Sequence, residues 1–312
     1  MKHTTICLFL LSLSFFACKD NENKFSDSWE WTGRLDSGVV FSFTIDHNDR
    51  LLAGTTEGLY HSFDNGKTWS RISLDIFDPD QDFRLIKADD KNNLLAGDFH
   101  GLLKSTNQGQ NWQLLYQTTS GSYISAVASD SNGIMLLGET RGFFARSTNS
   151  GLNWETLASS SDGVTDIVML DSMKIIASHK WGYIACSTDT GSTWQYSFTN
   201  PSAIYTLQKD SSGNLYAGGE YGLFKSTDTG ASWQQTNLGY VIRKILVLSN
   251  HEILAASDSN GIFQSINAGE SWKPLGIDLP PDVIWGVAMN SIHDIYISTG
   301  SNGFYRYRKY PN

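Results

Sequence analysis

Ser62-Phe63-Asp64-Asn65-Gly66-Lys67-Thr68-Trp69 decides the architecture, because the chain repeats its pattern five more times. As S-x-[D/N]-x-G-x-x-W it returns at Ser105 to Trp112, Ser147 to Trp154, Ser187 to Trp194, Ser226 to Trp233 and Ser265 to Trp272. Successive Trp positions lie 43, 42, 40, 39 and 39 residues apart. A period of about 40 residues is the size of one four-stranded propeller blade.

Outward from the first copy, the runs Phe41 to Asp46, Leu51 to Thr55, Leu59 to Ser62 and Thr68 to Ile72 are short and apolar. Gly, Asn, Asp and Ser bound them, as they bound strands joined by tight turns. A second mark, a glycine interrupting a pair of apolar runs, occurs seven times, at Gly58, Gly101, Gly142, Gly182, Gly222, Gly261 and Gly303. The seventh repeat stops after its third run, without a box. Ser28-Trp29-Glu30-Trp31-Thr32-Gly33 aligns with Ser271-Trp272-Lys273-Pro274-Leu275-Gly276 and supplies the missing outer strand. Closing the ring in this way removes an exposed sheet edge. The expected fold is all-β: a seven-bladed β-propeller of four-stranded antiparallel blades over residues 28–312, closed by an N-terminal strand.

The box explains itself chemically. Gly tolerates the positive φ of a tight turn, a short acceptor side chain satisfies free N–H groups, and Trp fills the space between sheets. The acceptor reads Asp64, Asn107, Asn149, Asp189, Asp228 and Asn267. Asp and Asn interchange there, so no carboxylate charge is required and the role is structural. The motif resembles the BNR or Asp-box repeat of sialidases, sortilin-type receptors, xyloglucanases and photosystem II assembly-factor propellers. That resemblance implies boxes lying away from the functional face.

Ahead of the repeats, Met1-Lys2-His3 precedes an apolar run from Ile6 to Ala17, of signal-peptide length and too short to span a bilayer. Leu13-Ser14-Phe15-Phe16-Ala17-Cys18 resembles a loose bacterial lipobox. This implies a signal peptide over 1–17, lipidation of Cys18 and a tether over 18–27. Lys19-Asp20-Asn21-Glu22 resembles the acidic export signal of Bacteroidota lipoproteins. The implied location is the bacterial cell envelope at the outer membrane, with outward and periplasmic orientations both open.

The formal charge of −9 leaves no surplus of cations for a nucleic-acid backbone as main partner. Of three cysteines only Cys186 lies in the body, which excludes a disulfide framework and suggests a buried structural thiol. No cofactor motif is present, and a monomer is expected.

Boxes join the third and fourth strands, so the turns between second and third strands crowd the opposite face. Their sequences differ from blade to blade, and variable loops on a regular scaffold point to recognition. Arg141, Trp181 and Tyr221 lie in these turns. Aligning the inner strands on the polar residue that ends each one places Phe41, Arg84, Ser125, Asp166, Tyr205, Lys244 and Trp285 around the channel mouth. Aromatics offer stacking surfaces and Arg a planar fork, which suits a protein, peptide or glycan ligand. The alternative is a small glycoside hydrolase, sialidase- or xyloglucanase-like. It would use Asp166 with Glu139 or Glu57, or sialidase-type groups from Arg84, Arg141, Arg243, Tyr205, Tyr221, Glu139 and Glu220. The Arg-Ile-Pro signature of sialidases is absent. Asp78-Pro79-Asp80-Gln81-Asp82 spaces carboxylates like a calcium loop, but Phe83 replaces the required Gly, and a solvated acidic linker is expected. His100 and His179 show no metal-ligand spacing, so no metal is expected.

Overall fold

The structure, a computed structural model, describes residues 28–309 other than 37, 75–80, 119–120, 158–161, 200–201, 250, 277 and 302. The leader, Cys18, the tether and the Asp78-Pro79-Asp80 segment lie outside the described residues.

Within them, seven four-stranded antiparallel sheets form the blades of a propeller, and no helix is present. Blade one runs from the channel outward as Val40–Ile45, Leu51–Thr55, Gly58–Ser62 and Ser70–Arg71. Its last strand is shorter than the run Thr68 to Ile72 suggested. Pairing continues beyond it only through the Ile72 N–H donating to the Leu59 carbonyl at 2.8 Å. Blade seven comprises Ile284–Met289, Ile295–Thr299, Gly303–Tyr307 and, outermost, Glu30–Gly33. Glu30 faces Arg306 and Trp31 faces Tyr305 in this antiparallel pair. The N-terminal strand therefore enters from the box side of the ring and runs toward the variable side.

The second strand of every blade is buried on both faces, which explains the unbroken apolar runs such as Leu51–Thr55. The core is divided among the blade interfaces. Between blades one and two, Leu52, Leu59 and Ile72 pack on Phe83, Leu94, Leu103 and Trp112. Each box Trp thus seals its own blade against the one before it. Trp29 does the equivalent work at the last interface, buried among Leu254, Ile262 and Leu275, with its indole N–H donating to the Leu275 carbonyl at 2.8 Å.

The boxes are built as their chemistry requires. In the first, Ser62 Oγ donates to Asp64 Oδ1 at 2.8 Å, and Asp64 Oδ1 accepts the Thr68 N–H at 2.9 Å. In the second, Asn107 Oδ1 takes the same two roles toward Ser105 and Asn111. One oxygen suffices, so Asp and Asn are equivalent as acceptors. The sequence pattern hides one feature: the residue before the box Gly also adopts positive φ, from 55° at Ala268 to 62° at Asn65.

Cys186 is a free, half-buried thiol whose pKa burial pushes up.

Candidate functional site

Six of the seven inner strands begin with a β-bulge, at Val40/Ser42, Ile124/Ala126, Val164/Asp166, Ile204/Thr206, Ile242/Lys244 and Ile284/Gly286. A bulge leaves one residue out of the ladder and re-aims its side chain. The bulged residues are Phe41, Ser125, Thr165, Tyr205, Arg243 and Trp285, with Arg84 at the matching place in blade two. The first strand of each blade starts beside the end of the second, as Val40 beside Thr55, so these seven residues sit at the variable end of the channel.

Two positions correct the sequence alignment. Asp166 and Lys244 lie one residue deeper than the mouth, where Thr165 and Arg243 stand instead. The polar residue ending the strand is not a fixed marker. Asp46 opens its turn and accepts the N–H groups of Asn48 and Arg50, two and four residues on. In blade four Leu170 holds that opening place, and Asp171 accepts from Met173 and Lys174, two and three residues on. Ser249 follows Leu248 in the same way. The buried apolar residue before each mouth position (Val40, Phe83, Ile124, Val164, Ile204, Ile242, Ile284) is the marker that would have given the register.

The rim is organised as a continuous crescent. The Arg84 guanidinium stacks 3.8 Å from the Tyr123 ring centroid and 5.1 Å from that of Phe41. Phe41 meets Trp285 edge-on at 5.9 Å. The Arg243 guanidinium lies 5.9 Å from the Trp285 ring and 4.1 Å from Tyr205. The Tyr205 hydroxyl then donates to Glu220. Six of seven blades take part, and blade four, with Thr165, leaves the gap. Each guanidinium is oriented from its other side by a carboxylate, Arg84 by Asp82 at 2.9 Å and Arg243 by Asp258 at 3.0 Å. Asp82, expected as part of a solvated acidic linker, instead holds Arg84, while Tyr123 and Asp258 carry no signal in the inner-strand pattern because they act from a linker and a turn.

Around the crescent, Trp181 is 66% exposed and Tyr221 51% exposed, while Arg141 and Glu57 are also on the surface. The Trp181 loop is pinned by its backbone N–H donating to Asp162 Oδ2 at 2.9 Å. Its indole therefore stands out from a fixed backbone.

Below the mouth lies a channel cavity of about 220 Å³, lined in part by Ser42, Arg84, Thr165, Asp166, Lys244 and Trp285. Asp166 lines it, but Glu139 and Glu57 do not. The Asp166 carboxylate accepts the N–H groups of Ile167 and Leu207, tying blade four to the open inner edge of blade five. Glu139 is buried and accepts the Tyr116 hydroxyl at 3.0 Å. Burial, followed by the Glu220 hydrogen bond, pushes the Tyr205 hydroxyl up to about 12. That is the opposite of an activated nucleophile. Burial pushes His179 below its ordinary value, and His100 Nδ1 is 3.0 Å from Asp98. Among the described residues no group of three or more His, Cys, Asp or Glu is placed to hold a metal ion.

The fold and site define a class: an Asp-box propeller with one regular face and one face carrying a preassembled aromatic and guanidinium rim. The sequence model of the photosynthesis system II assembly factor YCF48 matches residues 36–244, more than half of the chain. The chain belongs to that family. Solved structures share the fold at low identity. YCF48 from Cyanidioschyzon merolae superposes with a TM-score of 0.67 and 14% identity, over 89% of this chain and 98% of that one. A structure of YCF48 bound to D1 peptide gives 0.72 and 15%, over 90% and 97%. The extracellular domain of the putative one component system BT4673 from B. thetaiotaomicron gives 0.72 and 15%, over 91% of this chain but 40% of that one. No curated protein sequence matches the chain.

Proposed function

We propose that this protein is an envelope-anchored, non-catalytic propeller that grips an extended peptide segment of a partner protein across its variable face. The observation that carries the reading is the crescent from Tyr123 through Arg84, Phe41, Trp285 and Arg243 to Tyr205. A rim already held by stacking and ion pairs loses little side-chain freedom on binding, which favours affinity. Aromatics and Arg are the residue types that dominate binding energy at interfaces. Trp181, Tyr221 and Arg141 extend the surface outward, and Ser125 and the exposed Glu57 complete its polar edge. The family relative solved with a peptide bound supports a peptide over a glycan.

The leader over 1–17 and Cys18 support a lipid anchor at the outer membrane. The first described strand enters at the box side. A tether ending there joins the propeller on its box face, the side opposite the crescent.

The test is peptide display and glycan-array binding with the wild type, Trp285→Ala and Arg84→Ala, with thermal melts alongside. Loss of about tenfold or more in peptide affinity, with the melting temperature lowered by no more than about 4 °C, supports the reading. Normal peptide binding by both variants, or binding to glycans alone, overturns it. Glycoside turnover that disappears in Asp166→Asn would establish the hydrolase instead.

A further inference from the structure

The cations of the channel are engaged, with one exception. Arg84 is held by Asp82, Lys87 Nζ donates to the Val127 carbonyl at 3.4 Å, and Lys209 Nζ donates to the Met169 carbonyl at 2.5 Å. Lys244 lines the same cavity, yet among the described residues it has no hydrogen bond and no carboxylate oxygen within 4.0 Å. Asp166, whose two oxygens accept the backbone N–H groups of Ile167 and Leu207, acts on it only through space. Burial depresses the Lys244 ammonium below its ordinary value, and Asp166 offsets part of that. Lys244 itself is only part-buried, so its ammonium is left to water in the channel or to an incoming anion, and a ligand carboxylate would supply the charge-assisted partner that the protein does not.

We infer that Lys244 is a carboxylate-accepting subsite at the floor of the mouth, one residue below Arg243 on the same strand. The inference rests on the mouth being the ligand-binding face and names the chemistry received there. A carboxylate fits better than a phosphate. The uncommitted charge is a single ammonium without a guanidinium fork, and nearby Asp166 opposes a dianion. A cavity of about 220 Å³ has room for the end of an acidic side chain. Thr206 and Gln208 on its wall offer neutral polar groups for the second oxygen. The same chemistry is presented by a peptide's acidic side chain or C-terminus and by a small free carboxylate.

The experiment is calorimetric titration of the anchor-free chain with glutarate, its diamide and inorganic phosphate, on wild type, Lys244→Met and Lys244→Arg. Thermal melts accompany each variant. Glutarate binds the wild type and its diamide does not. Lys244→Met loses glutarate binding without a lowered melting temperature, and Lys244→Arg retains it in part. Should the Met variant fail to fold, the Arg variant and the diamide comparison carry the test. Glutarate binding unchanged in Lys244→Met overturns the subsite, as does phosphate binding more tightly than glutarate.

A second arm uses peptides selected by display on the wild type. Lys244→Met weakens them by about tenfold, the scale of one charge-assisted contact at a partly open site. Amidating the C-terminus or replacing Glu by Gln in the peptide shows which carboxylate is held. Selected peptides that bind Lys244→Met normally overturn the subsite and leave the peptide-binding face standing. Glutarate binding through Lys244 with no peptide selected has the reverse meaning.

Discussion

The Arg84 guanidinium lies 3.8 Å above the Tyr123 ring, although the two residues come from different blades. Asp82 holds the same guanidinium at 2.9 Å. The cation is thus clamped between a ring and a carboxylate while remaining partly open to ligand. A partly exposed cation–π contact contributes about 0.5–1 kcal/mol and an exposed ion pair about as much or less. Arg84→Ala should therefore destabilise the fold by about 1 kcal/mol, measured by denaturant unfolding. A loss above about 3 kcal/mol would make Arg84 a structural residue.

The two kinds of Trp should separate cleanly. Trp112 is 9% exposed and sits in the interface of blades one and two. Trp112→Ala should cost about 3–5 kcal/mol, as deletion of a packed aromatic ring does. Trp181, at 66% exposed, should cost less than about 0.5 kcal/mol when truncated. Equal losses in chemical denaturation would contradict the assignment of the two sites.

Acid should loosen three boxes and spare three. Burial pushes the Asp64 carboxyl up, but hydrogen bonds from Thr68 and Ser62 outweigh it and hold the group at about 2. Asp189 and Asp228 are held at about 2 by hydrogen bonds from Thr193 and Ser232. A folded value below the unfolded 3.8 means stability present above pH 3.8 and lost as pH falls through about 2. The triple variant Asp64→Asn, Asp189→Asn, Asp228→Asn should show a shallower fall of melting temperature between pH 4 and about 2. Asn107, Asn149 and Asn267 show that the turn accepts the amide. Superimposable pH profiles would rule out these carboxylates as acid-sensitive elements.

Ala268 occupies the left-handed region at φ 55° in the sixth box. Its N–H donates to the His251 carbonyl at 2.9 Å and its carbonyl accepts Lys225 Nζ at 2.8 Å, both backbone contacts that a change of side chain leaves in place. A residue at ease with positive φ should relieve strain, since left-handed backbone costs about 1 kcal/mol for a side chain bearing Cβ. Ala268→Asn should stabilise by about 0.5–1 kcal/mol and raise the melting temperature by about 1–2 °C. A lowered melting temperature would refute this.

The anchor is tested by fractionation. Cys18→Ser should abolish acylation and leave the protein soluble or as an unprocessed precursor. Processed Cys18→Ser protein that still pellets with membranes would exclude lipidation of Cys18.

The blade count, the identity of the box turn and the separation of a regular from a variable face were legible in the chain. Each depends on a local pattern repeated at a fixed interval: Gly and a short acceptor make the turn wherever they occur, and Trp packs wherever the turn delivers it. The membership of the mouth was only partly legible. Phe41, Arg84, Ser125, Tyr205 and Trp285 were placed by pattern, whereas Asp166 and Lys244 were assigned one level too high. The bulge is common to blades placed rightly and wrongly, as at Val40/Ser42 and Val164/Asp166; what differs is that Leu170 and Leu248 open the turn where Asp46 does in blade one, so the polar residue used as the marker comes one position later.

What the repeat itself determined was therefore the scaffold, because strand, turn and interface chemistry are short-range and recur about every 40 residues. What only the tertiary structure decided was how residues from different blades meet. No local rule brings Tyr123 onto Arg84, Trp285 onto Phe41, or the Asp166 carboxylate onto the Leu207 N–H and away from Lys244. Those contacts exist because ring closure brings seven strand ends, as much as 244 residues apart between Phe41 and Trp285, to one rim. There charge and stacking act through space and not along the chain.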